Sequence, residues 1–198
     1  RAGKSSIDLC VYLGENAPVK ILSYRLPDIP GGFDFDAFTS HALHSRMSAK
    51  NGLITLPDGV GYKMMVLPRN SNVPYAALEK IANMVKDGIK IYGAKPVMSE
   101  SFIDHDSLQA YEKLADELWG MNPSERAFNN VGNGTVYWGM SLQEALKMAK
   151  VDPDIAMQKG NTKDNKIYFT HRSLTDAEIY FLDNHKDSVE DDLFTFSA

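Results

Sequence analysis

The sequence has 198 residues, of which 43% are hydrophobic and 24% charged, and its formal net charge is −5. This composition is ordinary for a globular domain, and the acidic balance argues against a nucleic-acid partner, for which a basic surface is expected. No apolar run approaches the about 20 residues of a membrane-spanning helix, and the single cysteine, Cys10, excludes an internal disulfide. The chain opens abruptly with RAGKSS and closes with the strand-like LFTFSA, so we expect a piece of a longer protein.

The first predicted strand, Ile7 to Leu13, is almost entirely apolar, as expected of a strand that helices cover on both faces. Glu15 follows it in a turn that contains Gly14 and Pro18. Ligands of open α/β sheets bind beyond the carboxyl ends of the strands, so Glu15 is a candidate substrate contact. The alternative is a solvated loop carboxylate, which describes most surface acids.

A helix is predicted over DAFTSHALHSRM, residues 36 to 47, with Asp36 as its cap. His41 and His44 lie three residues apart and therefore share one face of that helix. A metal pair is one interpretation, but the sequence has no third ligand nearby and no HExxH pattern, so exposed or capping histidines are favoured. Asp34 and Asp36 are interpreted as helix-start residues rather than calcium ligands, because a dense oxygen-ligand loop is lacking.

A strand–helix–strand unit is predicted between residues 62 and 94. The strand Tyr62 to Pro68 is followed by a helix that begins near Pro74 and stops at Gly88, and then by the short apolar run 89–94. Such a unit requires a parallel pair of strands. Two further helices, near 107–120 and 141–150, and a strand at 135–139 continue the α/β pattern.

We therefore predict an α/β fold: a three-layer open, mostly parallel sheet flanked by helices, with an antiparallel β extension at the C-terminus. From residue 151 the pattern changes, and IYFTHRS and AEIYFLDN are typical of a hairpin without an intervening helix. We place a domain boundary near residue 160. An α/β domain is expected over 1–160, and the strands over 161–198 either extend its sheet or begin a following β domain.

The sequence contains no pattern of a catalytic or cofactor site. It has no GxSxG elbow, and Cys10 lies inside a predicted strand, so no good nucleophile is available for hydrolase or amidotransferase chemistry. GxGxxG and GxxxxGK[ST] are also absent, which disfavours a flavodoxin-like cofactor binder. Paired carboxylates for glycoside cleavage stand about 5 Å or about 6.5–9.5 Å apart. To provide them, loop acids would have to converge at one edge of the sheet: Glu15, Asp34, Asp36, Asp58 and Glu100.

Several blocks, in this order, resemble one known family. They include IDLCVYLGENAP, the stretch from FDFDAF to KMMVLP with its GLITLPDG turn, MVKDGIKIYGAKPVMS, VYWGMSLQEAL and FTHRSLTDAEIYFLDN. Together they cover nearly the whole chain. They are similar to the carboxyl-terminal part of glycoside hydrolase family 106, the bacterial α-L-rhamnosidases that act on plant cell-wall polysaccharides.

The resemblance implies that the catalytic acids and a calcium site lie upstream, in a (β/α)₈ barrel of the parent enzyme. It implies that this chain is a helix-covered sheet resembling class I glutamine amidotransferases, a flavodoxin-like fold, followed by the first strands of β-sandwich domains. A barrel typically needs about 250 residues, so no catalytic residue is carried over, and no cofactor or metal is expected in this segment. Glu15, which matches the Gly-Glu turn of the family, is the one expected substrate contact.

We therefore expect an accessory, non-catalytic α/β domain of an α-L-rhamnosidase-like hydrolase, which supports the catalytic barrel and lines the substrate cleft. Its expected partners are the rest of the parent chain, namely the barrel and the β-sandwich domains, and an oligosaccharide. Nucleic acid and membrane are not expected partners, and the resemblance implies a periplasmic or secreted parent. The alternative is a stand-alone module that binds a carbohydrate or another small ligand at the carboxyl edge of its sheet.

Overall fold

The structure is a computed structural model that describes residues 3–14, 28–68, 72–97, 105–124, 127–159, 162, 166–189 and 191–197. Its helices are α1 (Ser40–Arg46), α2 (Tyr75–Lys86), α3 (His105–Trp119) and α4 (Leu142–Met148). Its strands are β1 (Lys4–Ser6), β2 (Leu9–Tyr12), β3 (Phe35–Phe38), β4 (Ser48–Lys50), β5 (Leu53–Thr55), β6 (Gly61–Tyr62), β7 (Met64–Val66), β8 (Lys90–Tyr92), β9 (Phe128–Val131), β10 (Gly134–Tyr137), β11 (Ile155–Met157), β12 (Ile167–Ser173), β13 (Glu178–Asn184) and β14 (Phe194–Phe196). No helix within these ranges is long and apolar enough to cross a membrane.

Six strands form the central sheet, in the order β3-β2-β7-β8-β10-β9. The first five are parallel to one another, and β9 pairs antiparallel with β10 at one edge. β2 lies beside β7 with Leu9 opposite Met64, and β8 follows with Tyr92 opposite Val66. The strand–helix–strand unit predicted from the sequence is thereby confirmed as β7, α2 and β8.

Side chains alternate between the two faces of this sheet, and each face has its own apolar core. Cys10 belongs to the core that includes residues of α1, α2 and α3, among them Leu78 of α2. Its neighbour in the strand, Leu9, belongs to the opposite core, which includes Leu146 of α4. The near-continuous apolar pattern of β2 therefore reflects burial on both faces, as the sequence predicted.

The predicted fold class, a three-layer helix-flanked sheet with an antiparallel C-terminal extension, is wrong. One face of the central sheet carries three helices, but the other carries only the seven-residue α4 among the described helices, beside the partly buried Ile29, Phe33 and Phe35. The other strands form three separate small sheets, β1-β12-β13, β11-β14 and β4-β5-β6. An apolar strand pattern shows that both faces are covered, but it does not specify whether helices, loops or other strands cover them.

The helix predicted over residues 36 to 47 is also shorter than expected. Its first residues form β3, which pairs in parallel with β2, and α1 begins only after Thr39. Asp36 is therefore not a helix cap, and its carboxylate accepts a hydrogen bond from the Tyr62 hydroxyl at 2.9 Å. Backbone pairing with a neighbouring strand outweighs the local helical spacing here.

The predicted C-terminal hairpin is present as β12 and β13, which pair antiparallel with Thr170 opposite Phe181. Two strand pairs cross residue 160, since β1 pairs with β12 and β11 pairs with β14. The first of these pairs connects the hairpin to the first described residues of the chain. The division into domains over 1–160 and 161–198 stays a prediction.

Asp8, just before β2, is a buried carboxylate with a half-exposed partner. Lys63 Nζ lies 2.6 Å from Asp8 Oδ1, and the two side chains are 40% and 3% exposed. Burial raises the pKa of Asp8 above its ordinary value of 3.8, and Lys63 opposes that rise. Because folded Asp8 holds its proton more tightly than the unfolded chain does, its contribution to stability is greatest at acid pH. That contribution falls as the pH rises through the folded-state pKa.

We predict that Lys63→Met lowers the free energy of unfolding by about 2 kcal/mol at neutral pH, because the buried carboxylate loses its counter-charge. The loss should shrink as the pH falls and Asp8 becomes protonated. Lys86→Met is the matched control, since Lys86 is 41% exposed but pairs with Glu117, which is 44% exposed. That change should cost less than about 1 kcal/mol. Urea unfolding of both variants checks this, and equal losses would contradict it.

Candidate functional site

A cleft of about 350 Å³ lies beyond the carboxyl ends of β7, β8 and β10. Pro68 follows β7, Tyr92 ends β8, and Gly139 lies just after β10. Ser141 and Gln143, at the start of α4, complete the wall on that side. This is the edge at which open α/β sheets bind their ligands, so the cleft is the candidate functional site.

Hydrogen bonds and close packing fix the walls of the cleft. The Tyr92 hydroxyl donates to the carbonyl oxygen of Met140 at 2.7 Å, which ties the end of β8 to the segment before α4. The Gly93 amide donates to the carbonyl oxygen of Tyr137 at 3.0 Å. Gly93 has a φ of +152°, and a Cβ there would lie 2.6 Å from the Cβ of Leu67. Glycine is therefore required where β7 and β8 approach each other at the cleft.

Ser141 caps α4 through a capping box. Its Oγ accepts a hydrogen bond from the Glu144 amide at 3.2 Å, and the Glu144 carboxylate accepts one from the Ser141 amide at 2.8 Å. The Ser141 amide and hydroxyl, which both donate to the Glu144 carboxylate, lower the pKa of Glu144 below its ordinary value. The Ser141 hydroxyl also donates to Glu144, so it serves the helix and is not an activated nucleophile.

The cleft combines apolar and aromatic surface with a few polar side chains. Leu67 and Pro68 give it an apolar wall beside the Tyr92 ring, and the side chains of Asp28 and Gln143 are exposed at its rim. A few polar groups beside apolar and aromatic surface are typical of small-ligand sites, and they match the apolar and hydroxyl-bearing parts of a sugar ring. Among the cleft residues that the structure describes, the Ser141 hydroxyl is the one bonded to a carboxylate, and that bond belongs to the cap of α4.

Of the candidate acids from the sequence, the three that the structure describes, Asp34, Asp36 and Asp58, do not line this cleft. Glu15 and Glu100 lie outside the described residues, so the role of Glu15 stays a prediction. Asp34 precedes β3 and so lies at the amino-terminal edge of the sheet, where burial raises its pKa. Asp58 lies between β5 and β6, where its carboxylate is 3.7 Å from the guanidinium of Arg46.

The other candidate ligands and nucleophiles lie in α1 and β2. His41 and His44 are exposed on α1. No group of three or more His, Cys, Asp or Glu side chains in the described ranges is arranged to hold a metal ion. Cys10 is buried in β2, and burial raises the pKa of its thiol well above the ordinary value. The neutral thiol is thereby favoured, so Cys10 is an unreactive core residue.

A polar cluster around His171 in β12 was missed by the sequence analysis. The imidazole Nδ1 lies 2.7 Å from Asp154 Oδ2, and Nε2 lies 2.7 Å from Glu178 Oε2. Tyr180 stacks on the imidazole with ring centroids 4.0 Å apart. The Ser197 hydroxyl donates to Asp154 Oδ1. His171 and Asp154 are only 5% and 3% exposed, so the cluster is buried.

The His171 cluster links residues of several C-terminal strands. Asp154 precedes β11, Glu178 and Tyr180 belong to β13, and Ser197 follows β14, so the cluster joins both small C-terminal sheets. In a catalytic dyad the second ring nitrogen would face a nucleophile, whereas here it faces a carboxylate. Strand alternation in IYFTHRS places His171 on the inward face, but nothing local in the sequence identifies its partners.

Comparison with known proteins identifies the family. The model of the alpha-L-rhamnosidase family, glycoside hydrolase family 106, matches residues 1–197. The chain belongs to this family. The resemblance drawn from the sequence blocks is confirmed at that level, whereas the flavodoxin-like, glutamine amidotransferase-like fold that it implied is not confirmed.

Two similar proteins are much longer than this chain. A protein of Formosa agariphila named "Putative beta-glucuronidase" is 32% identical over 191 residues, which are 95% of this chain and 15% of that protein. The solved structure of a rhamnosidase from Novosphingobium sp. PP1Y is similar with a TM-score of 0.80 and 26% identity, and the match covers 94% of this chain and 18% of that one. The chain thus spans less than a fifth of either relative and corresponds to one segment of each.

Proposed function

We propose that this chain is an accessory, non-catalytic segment of a longer α-L-rhamnosidase-family hydrolase that acts on plant polysaccharides. In the parent enzyme it supports the catalytic barrel and contributes the carboxyl-edge cleft to the path of the substrate. The catalytic acids, and any calcium ion, belong to parts of a periplasmic or secreted parent outside this segment. The observation that carries the proposal is that the chain covers only 15% and 18% of two longer relatives.

An assay of the chain on an aryl α-L-rhamnoside tests the non-catalytic assignment. We expect no hydrolysis above the uncatalysed rate, since Asp28 is the only acid among the described residues that line the cleft. The neighbouring acids Asp154 and Glu178 are both bonded to His171. Glycoside cleavage requires two carboxyl groups within about 10 Å of each other on either side of the bond. Turnover that scales with the concentration of the purified chain would overturn the proposal.

The cleft favours a second candidate function, a module that binds carbohydrate by itself. A segment that only supports the catalytic barrel would need no pocket at the ligand-binding edge of the sheet. This chain has such a pocket, with an aromatic ring and exposed polar groups. Calorimetric titration with rhamnose-containing oligosaccharides separates the two functions. Heat of binding favours the module, and its absence favours the support role alone.

Gly139 and Gly120 provide a matched pair of variants for that titration. Their φ angles are +70° and +80°, and a Cβ at either position meets nothing within 4 Å. Gly139 lines the cleft, whereas Gly120 follows α3. Asparagine tolerates positive φ better than most residues, so either substitution should leave the fold intact.

We predict that Gly139→Asn weakens oligosaccharide binding at least about tenfold, because its side chain enters the cleft and displaces ligand groups. Gly120→Asn should leave the affinity unchanged. Each variant should lose less than about 1 kcal/mol of unfolding free energy. If both variants bind as tightly as the unmodified chain, the ligand does not occupy this cleft.

A further inference from the structure

Large apolar side chains remain exposed mainly around the C-terminal strands. Soluble monomers rarely expose contiguous apolar surface unless it binds something. Six of the eleven such residues within the described ranges lie in this region: Tyr168, Ile179, Phe181, Val189, Leu193 and Phe196.

Three of these residues share the outer face of the β12–β13 hairpin. Ile179 and Phe181 are two positions apart in β13, so both point to the same side. Phe181 is opposite Thr170, which is two residues from Tyr168 on the same side of β12. Tyr168, Ile179 and Phe181 are 59%, 44% and 67% exposed, so the hairpin presents an apolar strip to solvent. Their cross-strand partners on the same face are polar: Asp183, Arg172 and Thr170.

The same hairpin has an open edge. β13 lies at the end of the sheet β1-β12-β13 and pairs only with β12 among the described strands. Its sequence, EIYFLDN, contains neither the proline nor the lysine that commonly protects an edge strand. About half of its seven residues, the alternate positions whose backbone groups face away from β12, therefore offer N–H and C=O groups for pairing, next to the apolar strip.

The inner face of the hairpin is already held in place. His171 and Tyr180 stack on that side, and hydrogen bonds join them to Asp154 and Ser197. The outer face is therefore a preformed surface, which reduces the ordering cost of binding a partner.

We propose that the outer face of β12–β13 and the free edge of β13 form the docking surface for another segment of the longer hydrolase chain. The segment that fits presents an apolar strand or sheet face. This inference rests on the proposed function, and its support is the length of the relatives, since more than four fifths of each lies outside the match.

A second copy of this chain fits the edge poorly in the register that is centred on Phe181. Two β13 strands paired antiparallel about Phe181 would set Ile179 of one copy opposite Asp183 of the other. That register places a carboxylate beside an apolar side chain in the middle of the new sheet, which disfavours the pair.

The test compares the isolated chain with the parent hydrolase. We expect the β13 amides to exchange at least about tenfold more slowly in the parent, because the edge is then covered. The double variant Ile179→Ser/Phe181→Ser should leave the Tm of the isolated chain unchanged within about 2 °C, because both side chains are exposed there. In the parent the same change should lower the Tm by several degrees and should make the β13 amides exchange faster.

Met121→Ser is the matched control, since Met121 is 81% exposed in a loop after α3, and it should change neither protein. Unchanged β13 exchange in the parent would overturn the docking surface. A dimer of the isolated chain that the double variant abolishes would also overturn it and would identify a second copy as the partner. Rhamnosidase turnover by the isolated chain would overturn the proposed function instead, so the two failures are distinguishable.

Discussion

Gly134→Ala is expected to lower the free energy of unfolding by about 3 kcal/mol or more. Gly134 opens β10, and a Cβ there would lie 2.2 Å from the carbonyl oxygen of Val85 and 2.3 Å from that of Ile89. Both are backbone atoms, so neither contact is relieved by rotating a side chain. The added methyl group would push β10 away from the end of α2, where the Thr135 amide donates to the Ile89 carbonyl oxygen.

Gly61→Ala is the control for that prediction. A Cβ at Gly61 would lie 3.5 Å from the Cδ1 of Leu53, an ordinary contact with a movable side chain. The control should change stability by less than about 1 kcal/mol. Denaturant unfolding measures the stability of both variants. If the Gly134 variant does not fold, the yields of soluble protein are compared instead. Similar stability of the two variants would show that the backbone at the end of α2 shifts at little cost in free energy.

The strand–helix–strand unit could be predicted because its signals are local. The run YKMMVLP and the helical spacing between Pro74 and Gly88 gave β7 and α2 close to their true positions, and β8 followed as expected. The one deviation is at Lys63, where the predicted strand divides into β6 and β7. At this point the Lys63 amide donates to the carbonyl oxygen of Asp8, a partner that lies far away in the sequence.

The fold class could not be predicted because it depends on which strands pair. The hairpin β12–β13 was evident from its alternation, but its third strand is β1, with Ser6 opposite His171. Sequence separation on this scale leaves no local signal. The short β3 was mistaken for the start of a helix for a related reason, since its pairing with β2 is not visible in DAFTSHAL.

The candidate cleft was predictable in position but not in composition. The general rule for open α/β sheets placed a ligand at the carboxyl edge, and the cleft lies there. The residue chosen at that edge, Glu15, falls outside the described residues. The walls come instead from Tyr92, Gly139 and the start of α4, which the sequence pattern had assigned only to two strands and a helix.

His171→Leu is expected to lower the free energy of unfolding by about 3 kcal/mol. The substitution removes two hydrogen bonds, each 2.7 Å long, and leaves the buried Asp154 without its imidazole partner. The largest effect should appear in the C-terminal sheets that the cluster joins. Hydrogen exchange should therefore show faster opening of β12 and β13 than of α2 and β7.

His185→Leu is the matched control for His171→Leu. His185 Nε2 lies 2.7 Å from Asp183 Oδ2, the same length as either bond of His171, but both side chains are 54% exposed. This change should cost less than about 1 kcal/mol. Adding Asp154→Asn to His171→Leu should recover part of the loss, because the variant then no longer buries an unpaired charge. Two outcomes would contradict this: equal losses of unfolding free energy in the two histidine variants, or no recovery when Asp154→Asn is added. Either would mean that the buried charge does not determine how much this cluster stabilises the fold.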